Sequence, residues 1–189
     1  MEIFKITKPK KKTFLRGLSQ KQAYLLEKEI LLLLEKNFKC VCGQNTYHFP
    51  KIVSFLDPKY RLKLTNCGHS LDKIREIIKI PNKDEQIKCI VMNLKKSNIQ
   101  HLDMVRSGKN ICLNTNGTLS VIDFDIASIK KSFLSTEIQD RFEMYTNQKT
   151  KEWFYETGNS KLAPQYTNKK ITDYYSFLTE RLKEILHNF

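Results

Sequence analysis

A four-residue polar turn, Asn114-Thr115-Asn116-Gly117, separates two short apolar runs, Ile111-Cys112-Leu113 and Leu119-Ser120-Val121-Ile122. Asn and Gly tolerate the backbone angles of tight reversals, so this stretch predicts a β-hairpin. The second strand runs straight into Asp123-Phe124-Asp125, and the hairpin therefore delivers a carboxylate at a strand end. Upstream, Ile87, Ile90, Val91 and Leu94 follow the i, i+3, i+4, i+7 spacing of a helix with one buried face. Asn82, with Glu85 three residues later, resembles a capping box at the start of that helix.

The other elements follow from the same periodicities. Glu2–Ile6 reads as a short strand, and Pro9 with Lys10-Lys11-Lys12 as a loop. From Ser19, a plausible N-cap, to Lys36 the pattern is helical, with Ala23, Leu26, Ile30, Leu33 and Leu34 on one face. Residues 51–55 and 60–64 read as strands around the Asp57-Pro58 turn. Ile171, Tyr174, Leu178, Leu182 and Ile185 share one face of a last helix over 171–186. Strands come early and helices late, which is an α+β pattern rather than an alternating parallel one.

A chain of 189 residues, 40% hydrophobic, suits one compact domain. No apolar run approaches the roughly 20 residues of a membrane span, and MEIFKITKPKKK has no apolar signal core, so a cytoplasmic location is expected. Five cysteines without an export signal are expected as reduced thiols. The net charge is +13 and is concentrated early: residues 1–63 hold 14 Lys/Arg against 5 Asp/Glu. That excess is compatible with nucleic acid as a partner, but no aromatic stacking pattern accompanies it, and this reading is not favoured.

The stretch HLDMVRSGKNICLNTNGTLSVIDFD, His101 to Asp125, holds the residues with chemistry. A polar loop carries Asp103 and Asn110, and the hairpin adds Asp123. Phosphoryl transfer from a nucleotide needs such parts: a carboxylate to take the proton of the attacking hydroxyl, and an amide and a second carboxylate to hold Mg²⁺ on the phosphates.

This stretch resembles the catalytic loop and metal-binding motif of the protein-kinase-like superfamily. His101-Leu102-Asp103 resembles the His-x-Asp motif, Asn110 its following Asn, and Asp123-Phe124-Asp125 the Asp-Phe-Asp form of Asp-Phe-Gly. The resemblance implies a two-lobed fold with a reduced N-lobe sheet (residues 1–66) and a truncated helical C-lobe (67–189). It also implies ATP and Mg²⁺ as cofactors. Asp103 would be the catalytic base, Asn110 and Asp123 the metal ligands, and His101 a structural brace. It further implies Lys5, or Lys8, as the phosphate-binding lysine and Glu29 as its helix partner. The backbone of the segment Leu64 to Leu71, including Asn66, would contact adenine. Arg106 or Lys109 would face phosphate.

Two features depart from the family. Asn110 follows Asp103 by a step of seven positions instead of the usual five, with Gly108 in the interval, and no G-x-G-x-x-G occurs in the 189 residues. The acceptor hydroxyl would belong to a protein Ser/Thr or to a small molecule. A scaffold of the same fold without catalysis is the alternative.

Three further groups stand out. Cys40-Val41-Cys42 with Cys67-Gly68-His69 offer four zinc-type ligands in a loose spacing, with buried thiols the plainer expectation and Cys89 a core position. Cys112 with His101 would be a nucleophilic pair, but nothing in the sequence activates the thiol. Trp153-Phe154-Tyr155 reads as a packing ridge.

Overall fold

The computed structural model describes residues 2–6, 20–43, 45–76, 78–101, 108–125, 127–129, 174–187 and 189, with backbone alone for 2–6, 22 and 128. Asp103, Arg106, Lys8, Lys10-Lys11-Lys12 and Trp153-Phe154-Tyr155 lie outside the described residues. The fold is mixed α+β. In chain order it runs β1 (Glu2–Ile6), α1 (Gln20–Asn37), β2 (Ile52–Leu56), β3 (Arg61–Thr65), β4 (His69–Ser70), α2 (Lys83–Lys96), β5 (Ile99–Gln100), β6 (Ile111–Leu113), β7 (Leu119–Val121), β8 (Ser128–Ile129) and α3 (Tyr174–Ile185).

Among the described residues three small antiparallel sheets form, ordered β1-β3-β2, β4-β6-β7 and β5-β8. Central β3 shows why its sequence forms a strand: Leu62 and Leu64 are buried and alternate with Arg61, Lys63 and Thr65. The β2–β3 reversal is a 3₁₀ turn at Asp57–Lys59, ended by Tyr60 in the left-handed region.

Helix α1 lies against β2, β3 and α2. Ala23, Leu26, Ile30 and Leu34 are buried as its periodicity predicts, and Leu33 is half-buried. Each large apolar side chain removed from water in this way contributes about 1.5–3 kcal/mol. Helix α2 buries Ile87, Ile90, Val91 and Leu94 and packs on α3, which contributes Leu178 and Leu182.

The start of α2 differs from the capping box expected there. Asn82 adopts a left-handed conformation (φ 47°) and its side chain makes no cap bond. Gln86, in the same first turn, bonds to the hairpin instead. Its Nε2 donates to the Pro81 and Gly117 carbonyls at 2.8 and 2.9 Å, and its Oε1 accepts the Leu119 N–H at 2.8 Å. One buried amide thereby ties the first turn of α2 to the β6–β7 hairpin.

Among the described residues, no helix is long and apolar enough to cross a membrane.

Candidate functional site

The hairpin forms as its turn composition predicts, with Ile111 opposite Val121 and Leu113 opposite Leu119. Asn114 Oδ1 accepts the backbone N–H groups of Asn116 and Thr118, which closes the turn. At the open end, the Ile122 N–H donates to the Asn110 carbonyl at 3.0 Å, so the pairing extends one rung beyond the strands. Asn110 and Asp123 thus arrive on neighbouring backbone positions. In a regular strand Asp123 would face away from the Asn110–Ile122 rung. Its φ of 71° breaks the alternation there. A left-handed residue with a side chain costs roughly 1–2 kcal/mol, a cost retained where surrounding contacts over-determine the backbone.

Those contacts come from three directions. His101, fully buried, sets Nε2 2.7 Å from the Ile122 carbonyl. A carbonyl can only accept, so Nε2 carries the proton. The same ring packs edge-on against Phe124, with centroids 4.7 Å apart. The His101 backbone N–H donates to Tyr174 Oη at 3.0 Å and so links this brace to α3. From α1, the buried carboxylate of Glu27 accepts the Phe124 N–H at 3.4 Å.

Glu27 went unrecognised in the sequence, where Glu29 is the expected α1 partner of the phosphate-binding lysine. The carboxylate that reaches the Asp123–Phe124 peptide is Glu27. Glu29 is half-buried and stands about 200° further round α1.

The remaining expected residues are spread over the fold. Lys5 lies in β1 opposite Leu62. Leu64 is a core residue of β3. Asn66 is exposed, and its Oδ1 accepts the Gly68 N–H at 2.9 Å. Lys109 is exposed beside Gly108. Gly108 has a φ of 69°, and a Cβ there would sit 2.9 Å from Leu71 Cβ, so the turn into Asn110 needs glycine. A polar cleft of about 200 Å³ borders Thr65, Asn66, Asn114 and Thr118. Neither Asn110 nor Asp123 lines it.

The thiol readings also resolve. Burial pushes the Cys112 thiol up to about 12, the nearby Cys67 and Asp72 adding to the rise, which leaves it inert as a nucleophile. Cys67 is buried with its Sγ directed at the Thr65 carbonyl, and His69 is exposed. The cysteines that close to ligand distance with Cys40 and Cys42 do not include Cys67 but do include Cys89.

Asn110 and Asp123 carry amide and carboxylate oxygens, the hard donors that Mg²⁺ takes. No protein-family model and no curated protein sequence matches the chain.

Proposed function

We propose that the chain is an ATP- and Mg²⁺-dependent phosphotransferase built on a two-lobed, protein-kinase-like plan with a reduced N-lobe sheet and a truncated helical C-lobe. The observation that carries this reading is the strand end itself: Asn110 and Asp123 on adjacent rungs, with His101 on the Ile122 carbonyl and Glu27 on the Phe124 amide. Rigid placement is what this reaction asks of a protein, since positioning and electrostatics supply most of the catalytic effect.

In the proposed reaction the acceptor hydroxyl oxygen attacks the γ-phosphorus. The bond from that phosphorus to the β,γ-bridging oxygen breaks, ADP leaves, and the hydroxyl proton passes to the Asp103 carboxylate. Mg²⁺, when bound, neutralises charge on the phosphate oxygens. Asn110 and Asp123 are the residues that would hold it. Glu27 takes the anchoring role that the family resemblance gives to Glu29, with Lys5 as its cationic counterpart.

Two measurements test the proposal. ATP with Mg²⁺ should raise the unfolding temperature, by an amount corresponding to about 2.7 kcal/mol at 100-fold excess over Kd. Asp123→Ala should abolish the rise. Transfer of the γ-phosphate should vanish in Asp103→Ala while the thermal shift persists. Equal transfer by wild type and Asp103→Ala removes Asp103 from the mechanism. No shift at millimolar ATP with Mg²⁺ overturns the reading in favour of a scaffold.

A further inference from the structure

Away from the hairpin's open end, three cysteines come together where the loop after α1 meets α2, with a histidine beside one of them. Cys40 and Cys42 lie on that loop and Cys89 on α2. Their three Sγ atoms all lie within 4.8 Å of one another. Cys40 Sγ and Cys42 Sγ are 3.3 Å apart, and His48 Nε2 is 3.4 Å from Cys42 Sγ. Cys42, Cys89 and His48 are buried. All five cysteines of the chain are free thiols.

The protonation geometry is that of a ligand. His48 Nδ1 stands 2.7 Å from the Leu119 carbonyl. Nδ1 therefore carries the proton, and Nε2 presents its lone pair towards Cys42 Sγ. Metal-bound histidines are held in the same manner, with the far nitrogen donating to a carbonyl or carboxylate.

The backbone around the sulfurs is also fixed. Asn93, one turn beyond Cys89, accepts the Lys39 N–H at 2.9 Å. Its Nδ2 donates to the Lys39 and Cys89 carbonyls at 3.0 and 2.8 Å. That clamp holds the residue preceding Cys40 against α2. The Val41 N–H points at Cys89 Sγ from 3.4 Å.

We propose that Cys40, Cys42, Cys89 and His48 form a structural zinc site of three thiolates and one imidazole. Zn–S bonds of about 2.3 Å and Zn–N bonds of about 2.0–2.1 Å, arranged tetrahedrally, put sulfurs about 3.8 Å apart and sulfur about 3.6 Å from nitrogen. Cys40–Cys42 at 3.3 Å and Cys42–His48 at 3.4 Å differ from these by a few tenths of an ångström, whereas His48 Nε2 stands outside the group of three sulfurs that lie within 4.8 Å of one another, so the set closes only when the other two sulfurs move towards it. The donors are soft, and no carboxylate is among them, which selects zinc over magnesium or calcium. Three clustered thiolates repel one another, and a dication offsets that repulsion. Four protein ligands leave no open coordination position, so the role is structural rather than catalytic. The metal would join the α1–β2 connection to α2 and, through His48, to β7. The proposal is independent of phosphotransfer.

The test is metal content and cobalt spectroscopy on the full chain, purified without chelator. One zinc per chain is expected. Cobalt in its place should give visible bands of a tetrahedral centre and a thiolate-to-cobalt charge-transfer band. Cys42→Ser and Cys89→Ser should lose the metal, whereas Cys67→Ser and Cys112→Ser should keep it. Should the ligand variants fail to fold, the wild-type cobalt spectrum still decides. A wild-type chain that holds no zinc and gives no cobalt–thiolate band overturns the proposal. So does a Cys40–Cys42 disulfide in the intact mass, or a His48→Ala variant whose cobalt spectrum equals that of wild type.

Discussion

Gln86→Leu isolates the contribution of one buried amide to the hairpin. Gln86 is fully buried, and its side chain satisfies three backbone groups: the Pro81 and Gly117 carbonyls and the Leu119 N–H. Leucine has a similar volume and no polar atoms. It leaves all three groups buried in a region that α2 and β7 close off. An orphaned buried polar group costs about 1–3 kcal/mol. Carbonyls that keep a second lone-pair partner fall at the low end of that range, and the added apolar burial returns about 1 kcal/mol. The expected net loss is about 3 kcal/mol, a large share of the 5–15 kcal/mol typical of a domain. Urea unfolding followed by far-UV circular dichroism measures it, with an unchanged slope certifying that both proteins unfold from comparable states. Gln86→Glu keeps the acceptor for Leu119 but sets oxygen against two carbonyls, and should lose at least as much. A Gln86→Leu loss below about 1 kcal/mol at unchanged slope would falsify the view that this amide fastens the hairpin.

Two other perturbations address the α1 carboxylates and the buried acids. Under the proposed phosphotransferase reading, Glu27→Ala should remove the rise in unfolding temperature expected with ATP and Mg²⁺ while Glu29→Ala retains it; the reverse pattern would give the proposed anchoring role to Glu29. Burial raises the thiols of Cys67 and Cys112 and the phenols of Tyr24 and Tyr47 above their ordinary values. These groups ionise first in the unfolded chain, which then binds fewer protons than the native state, so stability should fall as pH rises above about 9. For Cys112 the window runs from 9.0 to about 12. Cys112→Ala should flatten the slope of stability against pH there by at most about 1.4 kcal/mol per unit. An identical slope in the variant would contradict the assignment.

Elements with strong periodicity were legible in the sequence, and contacts that depend on tertiary geometry were not. Helices α1 and α2, strands β2 and β3, and the hairpin fall within a residue or two of their expected bounds, because one-faced burial writes itself into spacing. Glu27 was readable in principle. It sits four residues after Ala23 and three before Ile30, inside the apolar stripe, and a carboxylate in a stripe is a buried acid awaiting a donor. The spacing around Asn82 resembles a cap, but only the packed hairpin reveals that no side chain caps this end and that Gln86 ties it to the hairpin instead. The sulfur cluster was legible by half. Cys40 and Cys42 announce a pair, whereas Cys89 is 47 positions further on and His48 is one histidine among four. Nothing in their spacing says that Asn93 draws the Lys39 backbone onto α2.

The sulfur cluster and the polar strand end act on the same strand. Strand β7 is three residues long and lies at the edge of its sheet, a length and a position that hold register poorly. Its outward groups are nevertheless occupied. The Leu119 N–H goes to Gln86, the Leu119 carbonyl to His48 Nδ1, and the Val121 N–H to the His48 carbonyl at 2.9 Å. Just beyond, Ile122 is held through its N–H by Asn110 and through its carbonyl by His101. A slip of one residue would break all five bonds and replace Asp123 with a neighbour at the strand end. Register at Asp123 is therefore set less by the hairpin's own short ladder than by two buried histidines and one glutamine. One of those histidines sets Nε2 3.4 Å from Cys42 Sγ. A metal that fixes His48 would thus fix the strand that positions Asp123, without any contact between the two sites.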